Sequence, residues 1–239
     1  MAGAALEALM TLQDHDTTLD QLRHRRDHLP EREQLAEAER QLADIDRTGA
    51  ALGAQRDVVA QRQSEVEAQL AATEGRIAEL DKRMYSGTVT ASKDLQAMAE
   101  EVTHLKGRQS TLEDGVLEAM AEREPFDSEL EALAAQRAEL DARAETLLAA
   151  IAEAEVAIDA EIEAEMAARS SSSAPVPEAL MAQYERLRQR LGGVGAARVE
   201  HGRCMGCHLD LSATEIDRLK HQGDDVVATC EQCGRILVP

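Results

Sequence analysis

Apolar residues recur at alternating spacings of three and four through most of this 239-residue chain. From Leu95 the seam passes Met98, Val102, Leu105, Leu112, Val116, Phe126, Leu130, Leu133, Leu140, Leu147 and Ile151 to Ile158. Ala119, Ala144 and Ala154 share it, and Gln109, Arg123 and Arg137 interrupt it. A second register runs from Leu35 through Ala38, Leu42, Ile45, Leu52, Val59, Val66, Leu70, Ile77 and Leu80 to Met84. Its weak points are Gly49, Arg56, Gln63 and Thr73. A heptad held this long predicts a coiled coil, in which each helix offers one narrow stripe to a partner helix. Leu12, Leu19, Leu22 and Leu29 follow a shifted phase before Pro30, which restarts the helix, with Glu31 and Glu33 favouring a new N-terminus. Pro125 predicts a kink in the second arm.

The two registers meet at Tyr85-Ser86-Gly87-Thr88-Val89-Thr90-Ala91-Ser92. Gly87 breaks the helix, and Ser92 is placed to cap the next one. A short connection makes two long helices antiparallel neighbours, so residues 3–168 read as a helical hairpin. Composition agrees. Aromatics are 1% of the chain, with no Trp, and bulky side chains to fill a thick core are missing. The leucine stripe is the hairpin's own seam; dimerisation through an unfilled face is the alternative.

The chain has four cysteines, in two pairs: Cys204-Met205-Gly206-Cys207 and Cys230-Glu231-Gln232-Cys233, separated by 22 residues. Two Cys-x-x-Cys knuckles make a four-thiolate zinc site the leading reading, closed and structural because no coordination position stays open. Gly206 and Gly234 give the backbone freedom beside the metal. Within the gap, Ser212-Ala213-Thr214-Glu215 has the form of a capping box, and Ile216 and Leu219 give a short helix an apolar side. Val226-Val227-Ala228 reads as a strand entering the second knuckle, Arg235–Val238 as one leaving it, and the neighbourhood of Val199 as one before the first. The whole is a zinc ribbon with an inserted helix. Cys204-Met205-Gly206-Cys207-His208 also fits c-type haem attachment, which leaves Cys230 and Cys233 without a role; a redox dithiol and disulfides are the other readings. His201, His208 and His221 lie nearby as surface groups rather than ligands.

Ser170–Pro177, rich in Ser and Pro, reads as a linker that stops the second arm. Leu180, Tyr184, Leu187 and Leu191 then mark a short helix ended by Gly192-Gly193, able to dock on the hairpin base. The expected organisation is a coiled-coil hairpin over 1–169 with its tip near 85–92, a linker over 170–177, and a helix plus four-cysteine ribbon over 178–239. The fold class is mainly α.

These features resemble the bacterial C4-type zinc-ribbon family, formerly named as a domain of unknown function. The resemblance rests on the long hairpin, the Met84–Gly87 turn with Leu95 and an acidic stretch after it, the inserted helix and the two knuckles, and it covers nearly the whole chain. It implies a coiled-coil adaptor, with partners that vary across the family: flagellar or secretion machinery, an alternative sigma factor, or RNA.

Charge bears on the partner. The chain has 26 Lys and Arg against 46 Asp and Glu, a net charge of −20. Residues 1–177 hold 18 basic and 37 acidic residues, net −19, and residues 178–239 hold 8 and 9. An acidic hairpin repels phosphate and attracts a basic protein. Arg186, Arg188, Arg190, Arg198 and Arg203, with Arg218 and Lys220 on the inserted helix, are the candidate nucleic-acid contacts. The alternative is that they pair with carboxylates such as Glu185 and Glu200. Tyr85 at the tip is the candidate protein contact. Walker, dinucleotide and nucleophile-elbow motifs are missing, as are a signal peptide and a membrane segment. The expectation is a cytoplasmic, non-enzymatic, zinc-binding adaptor, with nucleic-acid binding through the ribbon's arginines as the alternative.

Overall fold

The structure, a computed structural model, describes residues 2–221 and 227–239; the side chain of Lys220 lies outside the described residues. Among the described residues, five helices and three strands follow in the order α1 (Ala2–Asp27), α2 (Pro30–Tyr85), α3 (Ser92–Ser173), α4 (Glu178–Arg190), β1 (Ala196–Glu200), β2 (Arg203–Cys204), α5 (Ala213–His221) and β3 (Ile236–Val238). They form two compact units: residues 1–33 with 147–239, and residues 34–146. This cuts the chain differently from the sequential division expected, because α1 packs with α4 and the ribbon.

The unit of residues 34–146 is an antiparallel pair formed by α2 and α3. Near the turn, Ile77, Leu80 and Val102 pack with Met84, Met98 and Leu105. The polar interruptions of the seam have partners. Arg123 donates to Oε1 of Gln63 at 3.0 Å and to Asp127 at 2.9 Å, and Arg56 reaches the same Asp127 at 2.9 Å. Arg137 is held by Asp46, and the Thr73 hydroxyl bonds the Gln69 carbonyl. Such pairs set register at the cost of apolar burial. α3 continues through Pro125 as one helix. Gly87 takes the left-handed conformation, φ 74°, between the two arms. Ser92 is not the cap: it is the first residue of α3, and the Ala91 carbonyl accepts from Asp94 and Leu95.

The other unit is built on α1. Pro30 does restart the helix, since α1 stops at Asp27. Two seam slots between its leucines hold His15 and Arg26, and both find acids on α3: Glu165 at 2.6 Å and Asp159 at 2.7 Å. α3 runs four residues into the expected linker. The hydroxyls of Ser171 and Ser173 bond the carbonyls of Ala167 and Ser170, which lets serines continue the helix. α4 then docks, as its apolar spacing predicts.

The small sheet has the order β2-β1-β3, with β1 antiparallel to β2 and parallel to β3. Alternation of side chains across a strand gives it two cores. Ala196, Ile236 and Val238 face Leu6, Leu9, Met10, Leu12, Val176, Leu180 and Tyr184. Ala197 and Leu237 face Leu211 and the cysteines, with Ile216, Leu219 and Val199 closing the edge. The strand expected at 226–228 is a correction. Val226 lies outside the described residues, Val227 and Ala228 are not strand, and approach to the second knuckle reduces to the Thr229–Ile236 bridge. The chain turns into the knuckle at Cys230 before a ladder can extend.

Candidate metal centre

The two knuckles are built alike. The N–H of Cys204 bonds the Leu209 carbonyl at 3.0 Å, and that of Cys230 bonds the Arg235 carbonyl at 2.9 Å. The residue after each second cysteine, His208 or Gly234, returns its N–H to the first cysteine's carbonyl at 2.8 Å. Both take the left-handed conformation, φ 62° and 74°. Gly234 adopts this φ without the strain that a side chain carries there. Gly206 is needed for room, because a Cβ there would come within 2.5 Å of Arg235 Cδ and 2.9 Å of the Ala197 methyl. His208 serves as a backbone turn.

The four sulfurs converge, all within 4.8 Å of one another. Cys204 and Cys233 are 3.9 Å apart, as are Cys207 and Cys230. A zinc–sulfur bond of about 2.3 Å in a tetrahedron gives a sulfur–sulfur edge of about 3.8 Å, whereas a disulfide needs about 2.05 Å. All four thiols are free. Burial pushes the Cys204 thiol up to about 12 and raises Cys230. Burial acts on Cys233 too, but the backbone N–H and guanidinium of Arg235, with the neighbouring thiols, bring it down to about 7. Buried thiolates need a cation, and four of them fill a zinc shell. The centre is one structural zinc site.

The inserted helix α5 is fastened to the second knuckle. The Glu215 N–H donates to the Ser212 hydroxyl at 3.2 Å, and Ser212 N–H to the Glu215 carboxylate at 2.9 Å, which is the capping box expected. The other Glu215 oxygen accepts the N–H of Glu231 at 2.9 Å. These N–H donors hold the Glu215 carboxyl below its ordinary range.

The candidate arginines separate into two groups. Arg188 lies between Asp20, at 2.7 Å, and Asp16, at 3.6 Å. Arg198 is bidentate to Glu7 at 2.9 and 3.1 Å. Arg203 pairs with Asp210 at 3.0 Å and Arg218 with Glu231 at 2.8 Å. Glu185 is taken by Arg169, so the pairing expected with Glu185 and Glu200 is replaced by these partners. Arg186, which bonds its own helix at the Ala182 carbonyl, and Arg190 are exposed on α4. Tyr85 is 85% exposed.

Sequence reasoning missed the mounting of the ribbon. The Gln13 amide accepts N–H bonds from Gly195 at 2.7 Å and Ala196 at 3.3 Å, and donates to the Gly193 carbonyl at 3.0 Å. Asp16, 3% exposed, takes the Tyr184 hydroxyl at 2.7 Å and Arg169 at 2.7 and 3.2 Å. The available signal was two polar residues amid the leucines of α1. His15 also links Glu165 to the Ser172 hydroxyl, at 2.6 and 3.1 Å. That is the order of a hydrolytic triad, but Ser172 sits in the last turn of α3, where carbonyl oxygens would oppose an oxyanion. The chain of bonds fastens α1 to α3.

Residues 12–192 match the CT398-like coiled coil hairpin domain, and residues 203–237 the C4-type zinc ribbon domain. The chain belongs to the CT398-like coiled-coil hairpin family. As a member of this family it is 32% identical over 244 residues to Rv2229c of Mycobacterium tuberculosis, covering 99% of this chain and 96% of that protein. ML1638 of Mycobacterium leprae is 29% identical over 230 residues, covering 92% and 94%. A solved structure from Mycobacterium smegmatis superposes with a TM-score of 0.86 at 26% identity, over 100% of this chain and 98% of that one. CT398 of Chlamydia trachomatis shares the fold, with a TM-score of 0.67 at 20% identity over 98% and 96%. The CT398-like hairpin and the C4 ribbon thus account together for the architecture met in the sequence.

Proposed function

We propose that this chain is a non-enzymatic, cytoplasmic adaptor in which a coiled-coil hairpin and a zinc ribbon bind a basic protein partner. The observation that carries this reading is the fate of the arginines. Arg188, Arg198, Arg203 and Arg218 are each neutralised by a carboxylate of the chain itself, leaving the acidic excess of the hairpin to set the long-range field. Exposed carboxylates such as Glu118, Glu124, Glu129 and Glu131 line α3. Among the described residues no helix is long and apolar enough to cross a membrane. A reduced four-thiolate centre suits the cytoplasm.

The test is purification of the tagged full chain from its native lysate, with and without nuclease, alongside the double variant Glu118→Gln/Glu129→Gln and the double variant Arg186→Gln/Arg190→Gln. The adaptor reading expects a nuclease-resistant protein partner whose recovery falls with added salt and in the carboxylate variant. Partners lost on nuclease treatment and in the arginine variant would move the function to nucleic acid.

A further inference from the structure

Arg235 stands apart from the other arginines of the ribbon. Its Nε donates to the Val194 carbonyl at 3.0 Å, and a terminal nitrogen to the Leu191 carbonyl at 3.4 Å. Leu191 is the C-cap of α4, so its carbonyl belongs to the helix end that carries partial negative charge, and Val194 lies three residues beyond it in the segment leading to β1. The shaft of the same side chain crosses the first knuckle, where the missing Cβ of Gly206 leaves room for its Cδ and Nε. The residue itself leaves the second knuckle two positions after Cys233. Arg235 is thus tied to the second knuckle through its backbone carbonyl, which accepts the Cys230 N–H, while its side chain crosses the first knuckle to the C-cap of α4. Its two described acceptors are backbone carbonyls, so its positive charge is not cancelled by them. Four thiolates and one zinc ion carry a net charge of −2, and a guanidinium stays charged at any working pH.

We propose that Arg235 is a positioning residue of the zinc centre, holding the two knuckles at one ion and balancing the charge of the four thiolates from the C-terminal end of α4. The role is distinct from ligation, and it makes metal retention depend on a residue outside the cysteine set.

Zinc transfer from the full chain to a chromophoric chelator tests this, comparing the native protein with Arg235→Met and Arg235→Lys. The expected result is a loss of zinc affinity of about 10- to 100-fold in the Met variant, the scale found for residues that orient metal ligands, with partial recovery in the Lys variant. Cobalt-loaded Arg235→Met should also show a shifted thiolate-to-cobalt absorption band. Native affinity in the Met variant overturns the proposal. So does an equal loss in both variants with an unshifted band, which marks a packing role only. Should the Met variant fail to fold, Arg235→Gln, which keeps a hydrogen-bond donor and loses the charge, decides: weakened zinc retention in a folded ribbon supports the proposal, and native retention overturns it.

Discussion

Asp16 holds Tyr184 and Arg169 with Arg188 alongside, at a position where helix α1 would otherwise bury another apolar side chain. Burial and the Asp16 carboxylate keep the Tyr184 hydroxyl protonated, its pKa raised. Asp16→Asn leaves two guanidinium groups facing a neutral amide. Glu185 and Asp20 still pair with those arginines, so it should cost about 1.5 to 3 kcal/mol in urea unfolding, the scale of hydrogen bonds to a charged group. His208 poses the opposite case. A non-glycine residue at φ 62° is strained, so His208→Gly should keep the zinc and stabilise the metal-loaded ribbon by about 1 kcal/mol in thermal unfolding. Glu215 supplies a pH test. Its carboxyl is lowered from 4.5, so its contribution is complete above that value and is lost as pH falls through the lower folded-state value. The stability gap between native protein and Glu215→Gln should stay constant from about pH 8 to 5 and close only below the ordinary glutamate value. The capping box and the knuckles were legible because each needs particular residue types at fixed spacing. Gln13, Asp16 and Arg235 were not, because their partners lie far along the chain and nothing local distinguishes them from surface polar groups.

At the scale of elements, apolar spacing located the helices well, since burial on one stripe is the main force acting on them. Ends were less legible. α3 passes through Ser170–Ser173 because serine hydroxyls can bond carbonyls one turn back, an option that composition does not reveal. The strand expected before Cys230 failed because β-branched residues announce extended backbone, not a partner strand. The seam interruptions are more informative in the structure than in the sequence: Arg123 meets Gln63, two breaks in separate registers that face each other. Replacing both with Leu should raise the hairpin's melting temperature, as apolar substitutions of partly buried polar pairs commonly do, while weakening the definition of register. A fall in melting temperature in the double variant, measured by circular dichroism, would assign the pair a net stabilising role instead.

At the scale of the molecule, the ribbon is part of the compact unit that contains α1 and α4, not a bead on a tether. One face of its sheet rests on α1 and α4 and the other on the metal centre. This division predicts unequal dependence on zinc. β1 and β3 keep an apolar face whether or not metal is present, whereas the knuckles have only thiolates and a small cluster around them. Hydrogen exchange of the full chain, read by mass spectrometry before and after chelation of zinc, tests this most directly. Amides of residues 203–211 and 229–235 are expected to lose protection on chelation, while those of α2 and α3 keep it. Knuckle amides that stay protected without metal, or helices that lose protection together with the ribbon, would contradict this unequal dependence.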